Sequence, residues 1–368
     1  MIPLSTGKKR KAASAVLGML LLVLIGAAVT WYQDSMQRSS ISLYNRWKKQ
    51  YVVFESGETA RVTDAQQHAS TVSEGIAYGL LFSVYHNDRD TFQKLLNYEE
   101  KHENAHGLMN WKITSDGKTA GSGAASDAEE DMAYALCLAN SRWHNAEYQK
   151  QAERKIDAIR NYLLRSDNTI LPGDEWGDTA ACNPSYIAPE YYLAFYDFTK
   201  DESWINVLNQ NMSLLKQAAD PETGLLPDWL NFKTANAGLY GYESVRVPIR
   251  LFQFTKNKEL HLSDVQDQKI SAKIQSAYQI AADISVKMDR FAQKQTADHF
   301  YALYHLDGSD PQTYQNNTYL ASGYAMVRAG GSNGDIWRTL LTKRADENYY
   351  GDSMRLWVVS LSDNLDRQ

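Results

Sequence analysis

Three segments of the sequence contain carboxylates that could carry out acid–base chemistry. In the first, Ser73-Glu74-Gly75, small residues flank Glu74 at the start of an apolar stretch, so a large ligand could approach it closely. A desolvated carboxyl group stays protonated and can donate a proton, while a second, ionised carboxylate can accept one from water. A glutamate in a first helical turn also complements the helix dipole, and position alone favours that simpler explanation of Glu74.

The second segment is a glycine-rich approach to a predicted helix, with Ser126, Asp127 and Glu129 at its start. Ser126 and Glu129 have the spacing of a capping box, which predicts that each side chain satisfies a free backbone amide of the first turn. Asp127 has no such explanation. Its side chain is predicted to project from the helix N-terminus toward whatever lies above it.

The third segment runs from Asp228-Trp229 to Glu243-Ser244-Val245-Arg246. It places an acid beside an aromatic residue and a second acid three residues before an arginine. Both arrangements are common in structural ion pairs, so Asp228, Glu243 and Arg246 are weak indications when each is taken singly.

Aromatic residues are unusually numerous, with 9 Trp, 23 Tyr and 10 Phe in 368 residues. One explanation is a large helical core with tyrosines at its wet edge. The other is a cleft lined with flat rings, on which the apolar C–H faces of sugars can stack. Trp111, Trp176, Tyr186 and Trp229 are the candidates for such stacking, and any one of them could instead belong to the core.

The overall charge and the cysteine content exclude several classes of protein. A net charge of −6 disfavours a nucleic-acid partner, which would require a basic face. Cys137 and Cys182 are too few for a disulfide framework, although one bridge between them is possible. Neither cysteine has the spacing of a metal ligand. We therefore expect no metal site, and acid–base chemistry between two carboxyl groups needs no organic cofactor.

The N-terminus has the features of a membrane signal. Lys8-Lys9-Arg10-Lys11 precedes an uncharged stretch at 12–30, whose 19 residues would span ~28 Å as a helix, about the thickness of the hydrocarbon core. The sequence predicts a cytoplasmic segment at 1–11, a transmembrane anchor at 12–32 and an extracytoplasmic remainder. A cleaved signal peptide, which would give a secreted protein, is the alternative, but its apolar region would be unusually long.

Beyond a short linker at 33–40, helical periodicity dominates and the sequence predicts one all-α domain at 41–368. Met132, Leu136 and Ala139 share one helical face, as do Ile270 and Ile274 with the apolar residues that follow them. Further helical segments are predicted at 41–54, 74–85, 91–101, 147–164, 189–198, 203–217, 248–255, 317–328, 335–343 and 353–362. About a dozen helices are compatible with a closed ring of helical hairpins, a solenoid or a bundle.

Taken together, the motifs resemble those of glycoside hydrolase family 8. Residues 125–143 are similar to its signature, Ala-Ser/Thr-Asp-Ala/Gly-Asp followed by an apolar helix, except that Glu129 replaces the last aspartate. The segments at 73–75, 107–111, 183–186 and 227–229 resemble further motifs of the family and occur in the family's order. The resemblance implies an (α/α)6 barrel that hydrolyses β-1,4-linked polymers with inversion, with Glu74 as general acid and Asp127 bonded to a distorted sugar.

The general base is the position at which this sequence departs from the family. Many members carry it as the aspartate of a Tyr-Asp-x-x-Arg-x-Pro stretch, and here Glu243 occupies that position, three residues before Arg246. The extra methylene moves the carboxylate by roughly one bond length, and a ~1 Å misplacement can matter for catalysis. Some branches of the family take the base from elsewhere, so Asp228 is a second candidate.

These observations predict a membrane-tethered, extracytoplasmic and monomeric hydrolase that cuts within β-linked polysaccharide chains. An anchor suggests a polymer handled close to the cell, such as a bacterial exopolysaccharide. The alternatives are a non-catalytic polysaccharide-binding protein with an altered base, and a purely structural helical surface protein. Neither alternative requires Glu74, Asp127 and the aromatic candidates to occur together.

Overall fold

The structure is a computed structural model that describes residues 39–55, 57–176, 180–231, 238–263 and 265–366. The predicted segments at 1–11 and 12–32 and most of the linker lie outside these residues. No helix within the described ranges has both the length and the apolar character needed to cross a membrane.

The described residues are mostly helical, as predicted. Their helices are α1 Ser40–Tyr51, α2 Ser73–Tyr85, α3 Arg89–Lys101, α4 Ser126–Trp143, α5 Ala146–Tyr162, α6 Pro189–Thr199, α7 Ser203–Ala218, α8 Val247–Lys256, α9 Lys258–Ser263, α10 Gln268–Gln295, α11 Asn317–Ala329, α12 Asp335–Lys343 and α13 Tyr349–Leu365. Their strands are β1 Val52–Phe54, β2 Ala60–Val62, β3 Thr71–Val72, β4 Lys112–Ile113, β5 Thr119–Gly121, β6 Ala181–Cys182, β7 Leu230–Asn231, β8 Leu239–Tyr240 and β9 Tyr304–His305.

Six helices form a closed inner ring. In the order α2, α4, α6, α8, α11 and α13, each packs against the next, and α13 packs back against α2. These helices are buried on most sides because small and apolar residues occur all round them, as in the SEGIAYGLLFSVY sequence of α2. The ring closes, which distinguishes this fold from the solenoid that the sequence left open.

Six further helices, α1, α3, α5, α7, α10 and α12, pack against the ring from outside. They are amphipathic. Along α10, for example, Ile270, Ile274 and Ala277 begin the buried stripe that the sequence predicted. The two rings together give the (α/α)6 arrangement, and the short helix α9 connects α8 to α10.

The strands of the described residues lie in the loops and are two or three residues long. They form three antiparallel pairs, β1-β2, β6-β7 and β8-β9, and one three-stranded sheet in the order β3-β4-β5. Val52 and Val53 were predicted to extend the first helix, but α1 ends at Tyr51 and these residues pair with β2. Their β-branched side chains favour the extended conformation. Cys137 and Cys182 are both buried and free, so no bridge joins them.

Polar pairs cross the interior of the ring between α4 and α8. Arg250 donates to Asp131 at 2.5 Å, and Gln253 donates to Tyr134 at 3.0 Å about one turn further along. All four side chains are buried. These pairs fix the register of α4 against α8, and the N-terminal ends of the same two helices carry predicted site residues.

Candidate active site

A cleft of about 770 Å³ lies at the N-terminal ends of the inner helices. Glu74 comes from the first turn of α2, Asp127 from the first turn of α4, and Arg246 directly precedes α8. The lining residues are Asp64, Gln67, Val72, Ser73, Glu74, Trp111, Ala125, Asp127, Trp176, Tyr186, Trp229, Tyr242, Glu243, Arg246, Tyr349 and Tyr350. The fold thus brings eight of the nine predicted site residues together; Asp228 is the exception.

Arg246 is the centre of the site. Its Nη1 atom donates to Oε2 of Glu74 and to Oδ2 of Asp127, both at 2.7 Å, and its Nη2 atom donates to Oε2 of Glu243. Its Nε atom donates to the Ser185 hydroxyl at 3.1 Å. The guanidinium is buried, so the carboxylates of Asp127 and Glu243 compensate a charge that would otherwise be costly to bury.

Glu74 has the electrostatic properties of a proton donor. Burial raises its pKa to about 8 although Arg246 opposes the shift, and the negative charge of Asp127 adds to the rise. The Tyr349 hydroxyl lies 3.5 Å from its other oxygen. At neutral pH this carboxyl group is therefore mainly protonated, while its side chain keeps contact with the cleft.

Asp127 lies deeper than Glu74. One of its oxygens accepts from Arg246 and the other accepts from the backbone N–H of Ala128 at 2.9 Å. Burial raises the pKa of Asp127, while the charge of Arg246 lowers it. The side chain thus forms part of the cleft floor, fixed on two sides.

Glu243 combines one fixed oxygen with one free oxygen. Its Oε2 atom accepts from Arg246 and from the side-chain amide of Asn183, the latter at 2.9 Å. Its Oε1 atom makes no hydrogen bond to any described residue, and 38% of the side chain is exposed. A carboxylate held in this way can orient a water molecule and accept a proton from it.

Asp228 is placed differently from the other candidates. Its Oδ1 atom accepts from the backbone N–H groups of Gly241, Glu243 and Ser244, at 2.8–3.1 Å. It lies against the turn that carries Glu243 and does not line the cleft.

The predicted stacking residues all reach the cleft, where they form two aromatic pairs. The rings of Trp111 and Trp176 have centroids 6.4 Å apart, and those of Tyr186 and Trp229 are 6.0 Å apart. Trp111 and Trp229 are the exposed members, whereas Tyr186 is buried beneath the guanidinium of Arg246. Each pair therefore contains one exposed tryptophan that lines the cleft.

Several lining residues were not predicted from the sequence. Tyr349 and Tyr350 begin α13, and the Tyr350 hydroxyl donates to the backbone carbonyl of Tyr242 at 2.6 Å. Their position at the start of an inner helix, as for Glu74 and Asp127, is the signal that could have found them. Asp64 and Gln67 come from the loop between β2 and β3, and no motif in the sequence indicated their place in the cleft.

The predicted capping box at the start of α4 is wrong. The backbone N–H of Ser126 donates to the carbonyl of Pro172 at 3.1 Å and not to Glu129. Glu129 instead accepts from the backbone N–H of Met109 at 2.8 Å and pairs with Lys155 at 3.0 Å. The residue that departs from the family signature thus supports the segment that carries Trp111.

One group among the described residues has the proximity of metal ligands, with His106, Asp174 and Glu175 presenting atoms within 4.8 Å of one another. The oxygens of Asp174 already accept from His106 at 2.8 Å, from Asn104 at 2.7 Å and from the backbone N–H of Ala124 at 2.6 Å. These bonds fix the loop that leads to Trp176, and they account for the aspartate without an ion.

Comparison with known proteins gives a consistent result. Endoglucanase 2 of Ruminiclostridium josui is 36% identical over 220 residues, which are 57% of this chain and 48% of that protein, so the chain spans about half of that relative. The beta-glucanase of Niallia circulans is 27% identical over 368 residues, covering 90% of this chain and 86% of that protein.

The apo structure of a beta-1,3-1,4-glucanase from Paenibacillus sp. X4 has the same fold, with a TM-score of 0.75 and 24% identity over 89% of this chain and 91% of that one. The family model described as glycosyl hydrolases family 8 matches residues 11–364. Because that match covers nearly the whole sequence, the chain belongs to glycosyl hydrolase family 8.

Proposed function

We propose that this protein is an endo-acting glycosidase that hydrolyses β-1,4-linked polysaccharide with inversion of the anomeric centre. The proposal rests on one observation: the guanidinium of Arg246 bonds two carboxyl groups, Glu74 and Glu243, that differ in their surroundings. Glu74 is held protonated by burial, whereas Glu243 has one fixed oxygen and one oxygen free toward the cleft.

Each carboxyl group has one role in the proposed reaction. Glu74 donates its proton to the glycosidic oxygen as the bond between that oxygen and the anomeric carbon breaks. Glu243 removes a proton from a water molecule whose oxygen attacks the same carbon from the opposite face. Asp127 accepts a hydrogen bond from the sugar at the cleavage point. Proton exchange with solvent then restores both groups.

The aromatic pairs support a polymeric substrate. Trp111 and Trp229 belong to separate pairs and are both exposed, so each can stack on a different sugar unit. Relatives named endoglucanase or beta-glucanase suggest β-glucans as the first polymers to test.

A panel of polymers tests the proposed function. Mixed-linkage glucan, carboxymethyl cellulose, xylan and chitosan would be incubated with the full chain, with reducing ends measured by colour and chain length by viscosity. The expected result is a fast fall in viscosity with few new reducing ends, and an α-configured product by proton NMR. A β-configured product would refute inversion, and release of single sugars without loss of viscosity would refute endo action.

We further propose an extracytoplasmic location and an exopolysaccharide substrate, on the basis of the basic and apolar segments at 1–11 and 12–32. Protease treatment of spheroplasts, in which only the cytoplasmic membrane remains, would then remove the catalytic domain while cytoplasmic proteins survive. A full-length chain that stays protected in spheroplasts but is cut after their lysis would refute this location.

A further inference from the structure

One carboxylate oxygen of Asp228 closes the turn at 241–244. Oδ1 accepts from the backbone N–H of Gly241 at 3.1 Å, from that of Glu243 at 3.0 Å, and from both the N–H and the hydroxyl of Ser244 at 2.8 and 2.9 Å. An ionised oxygen is the strongest acceptor for such bonds. The turn is therefore organised around one oxygen atom of a side chain that does not line the cleft.

The packing of this turn requires the close approach of Asp228. A Cβ atom at Gly241 would lie 2.2 Å from Oδ2 of Asp228, so only glycine allows the carboxylate to lie where it does. The far end of the turn is held independently, because the carbonyl of Val245 accepts from the Ser322 hydroxyl of α11 at 2.8 Å.

These contacts fix Glu243 at both ends. Asp228 holds its backbone, while Arg246 and Asn183 hold one oxygen of its carboxylate. Glutamate has one more rotatable bond than the aspartate usual at this position, so the place of its free oxygen depends strongly on where its backbone is anchored.

We propose that Asp228 is a positioning residue for Glu243 and is not itself the base. This inference rests on the proposed function, in which Glu243 deprotonates the attacking water. Asp228 acts through the turn, and it sets the direction of the free oxygen of Glu243.

Amide hydrogen exchange tests the contact without any need for activity. Asp220 provides a matched control, because its Oδ1 atom accepts from the N–H groups of Glu222 and Thr223, both at 2.9 Å, in a turn that does not line the cleft. In the full chain, Asp228→Ala should accelerate exchange in a peptide covering 241–244 by on the order of ten-fold or more, and Asp228→Asn by less. Asp220→Ala should leave that peptide unchanged. Unchanged protection in Asp228→Ala would overturn the proposal.

Kinetics then separate positioning from mere stability. Asp228→Ala should lower kcat roughly 100-fold, as for a misplaced group, with KM within about three-fold of the native value. Asp228→Asn keeps an acceptor oxygen and should lose less than Asp228→Ala. Asp220→Ala should lower Tm by a similar amount and leave kcat unchanged. If Asp228→Ala retained native kcat below its Tm, the positioning role would be refuted.

Reaction with azide distinguishes a positioning residue from the general base. Glu243→Ala leaves space for azide and should form an α-glycosyl azide from a β-glycoside, whereas Asp228→Ala should form none. Azide product from Asp228→Ala would show that Asp228 is the base and would overturn the inference. A native chain that cleaves no polymer would refute the proposed function instead, and the exchange measurement would still decide whether Asp228 holds the turn.

Discussion

At the scale of single residues, Arg246 and burial act on Glu74 in opposite directions. Burial favours the neutral form of Glu74, and the guanidinium at 2.7 Å favours its ionised form. Burial prevails, because the negative charges of Asp127 and Glu243 offset part of the effect of Arg246. The result is an acid that stays protonated near neutral pH and still accepts a hydrogen bond from Arg246.

The pH dependence of catalysis should reflect this balance. Since Glu74 must be protonated to donate, kcat/KM should fall as pH rises through about 8, the pKa of Glu74. A rate profile between pH 5 and 10 in constant ionic strength measures this. An alkaline limb that begins near pH 5, where an ordinary glutamate titrates, would contradict the assignment.

Glu74→Gln keeps the shape of the side chain and removes the proton that Glu74 donates in the proposed reaction. We expect kcat to fall by about 10⁴-fold or more, since the loss of a general acid typically costs ~10²–10⁴-fold. The exposed Glu222 is the control, and Glu222→Gln should retain native kcat. Near-native turnover by Glu74→Gln would refute the role of this residue as the acid.

The same variant should alter the dependence of stability on pH. Because folding raises the pKa of Glu74, this group contributes stability at low pH that is lost as pH rises through about 8. The amide cannot ionise, so the Tm of Glu74→Gln relative to native should rise between pH 6 and pH 9. A constant difference in Tm across that range would show that ionisation of Glu74 does not oppose folding.

At the scale of secondary-structure elements, Lys155 of α5 joins two neighbouring helices. Its buried ammonium group contacts Glu99 of α3 and lies 3.0 Å from Glu129 of α4. It also donates to the carbonyl of Gly107 at 3.2 Å, in the loop that leads to Trp111. The outer helices α3 and α5 thus support the loop that carries Trp111 through the buried charges of Glu99 and Lys155.

Removal of this ammonium group should lower the free energy of unfolding more at neutral pH than at acidic pH. Lys155→Met leaves Glu99 and Glu129 unpaired, for which we expect a loss of about 3–5 kcal/mol in the free energy of unfolding at pH 7.5. At pH 5 the loss should shrink, because burial raises the pKa of Glu99 to about 7 and also raises that of Glu129. Urea unfolding at both pH values, with the exposed Lys150→Met as control, measures this. Equal losses at both pH values would contradict it.

At the scale of the whole molecule, the first and last described helices, α1 of the outer layer and α13 of the inner ring, pack against each other. The Trp47 indole N–H donates to the Ser353 hydroxyl at 2.9 Å, and the Tyr51 hydroxyl donates to Asp352 at 2.7 Å. Both bonds join α1 to α13 across some 300 residues of sequence. Folding of either end therefore depends on the other.

The contact between α1 and α13 predicts a single cooperative domain that folds without the N-terminal segment. Residues 34–368 alone should be mainly helical and should unfold in one thermal transition, with the same midpoint by circular dichroism and by tryptophan fluorescence. They should also match the full chain in kcat on the best polymer of the panel. Two separate transitions, or a protease-stable fragment of half this size, would show that the domain is divisible.

The sequence alone determined where most of the helices lie and that Glu74 and Asp127 begin two of them. The apolar periodicity along α10 and the motifs around Glu74 and Asp127 are local patterns. They depend on residues within a few helical turns, so the amino-acid sequence is sufficient to identify them. Only the tertiary structure decided the partners of Asp228 and Glu129. From the sequence, Asp228 was a second candidate for the base and Glu129 was a member of a predicted capping box. In the structure, Asp228 bonds a turn 13–16 residues away and Glu129 bonds Met109 and Lys155. A carboxylate binds whichever buried donors the fold brings to it, and that choice depends on long-range packing.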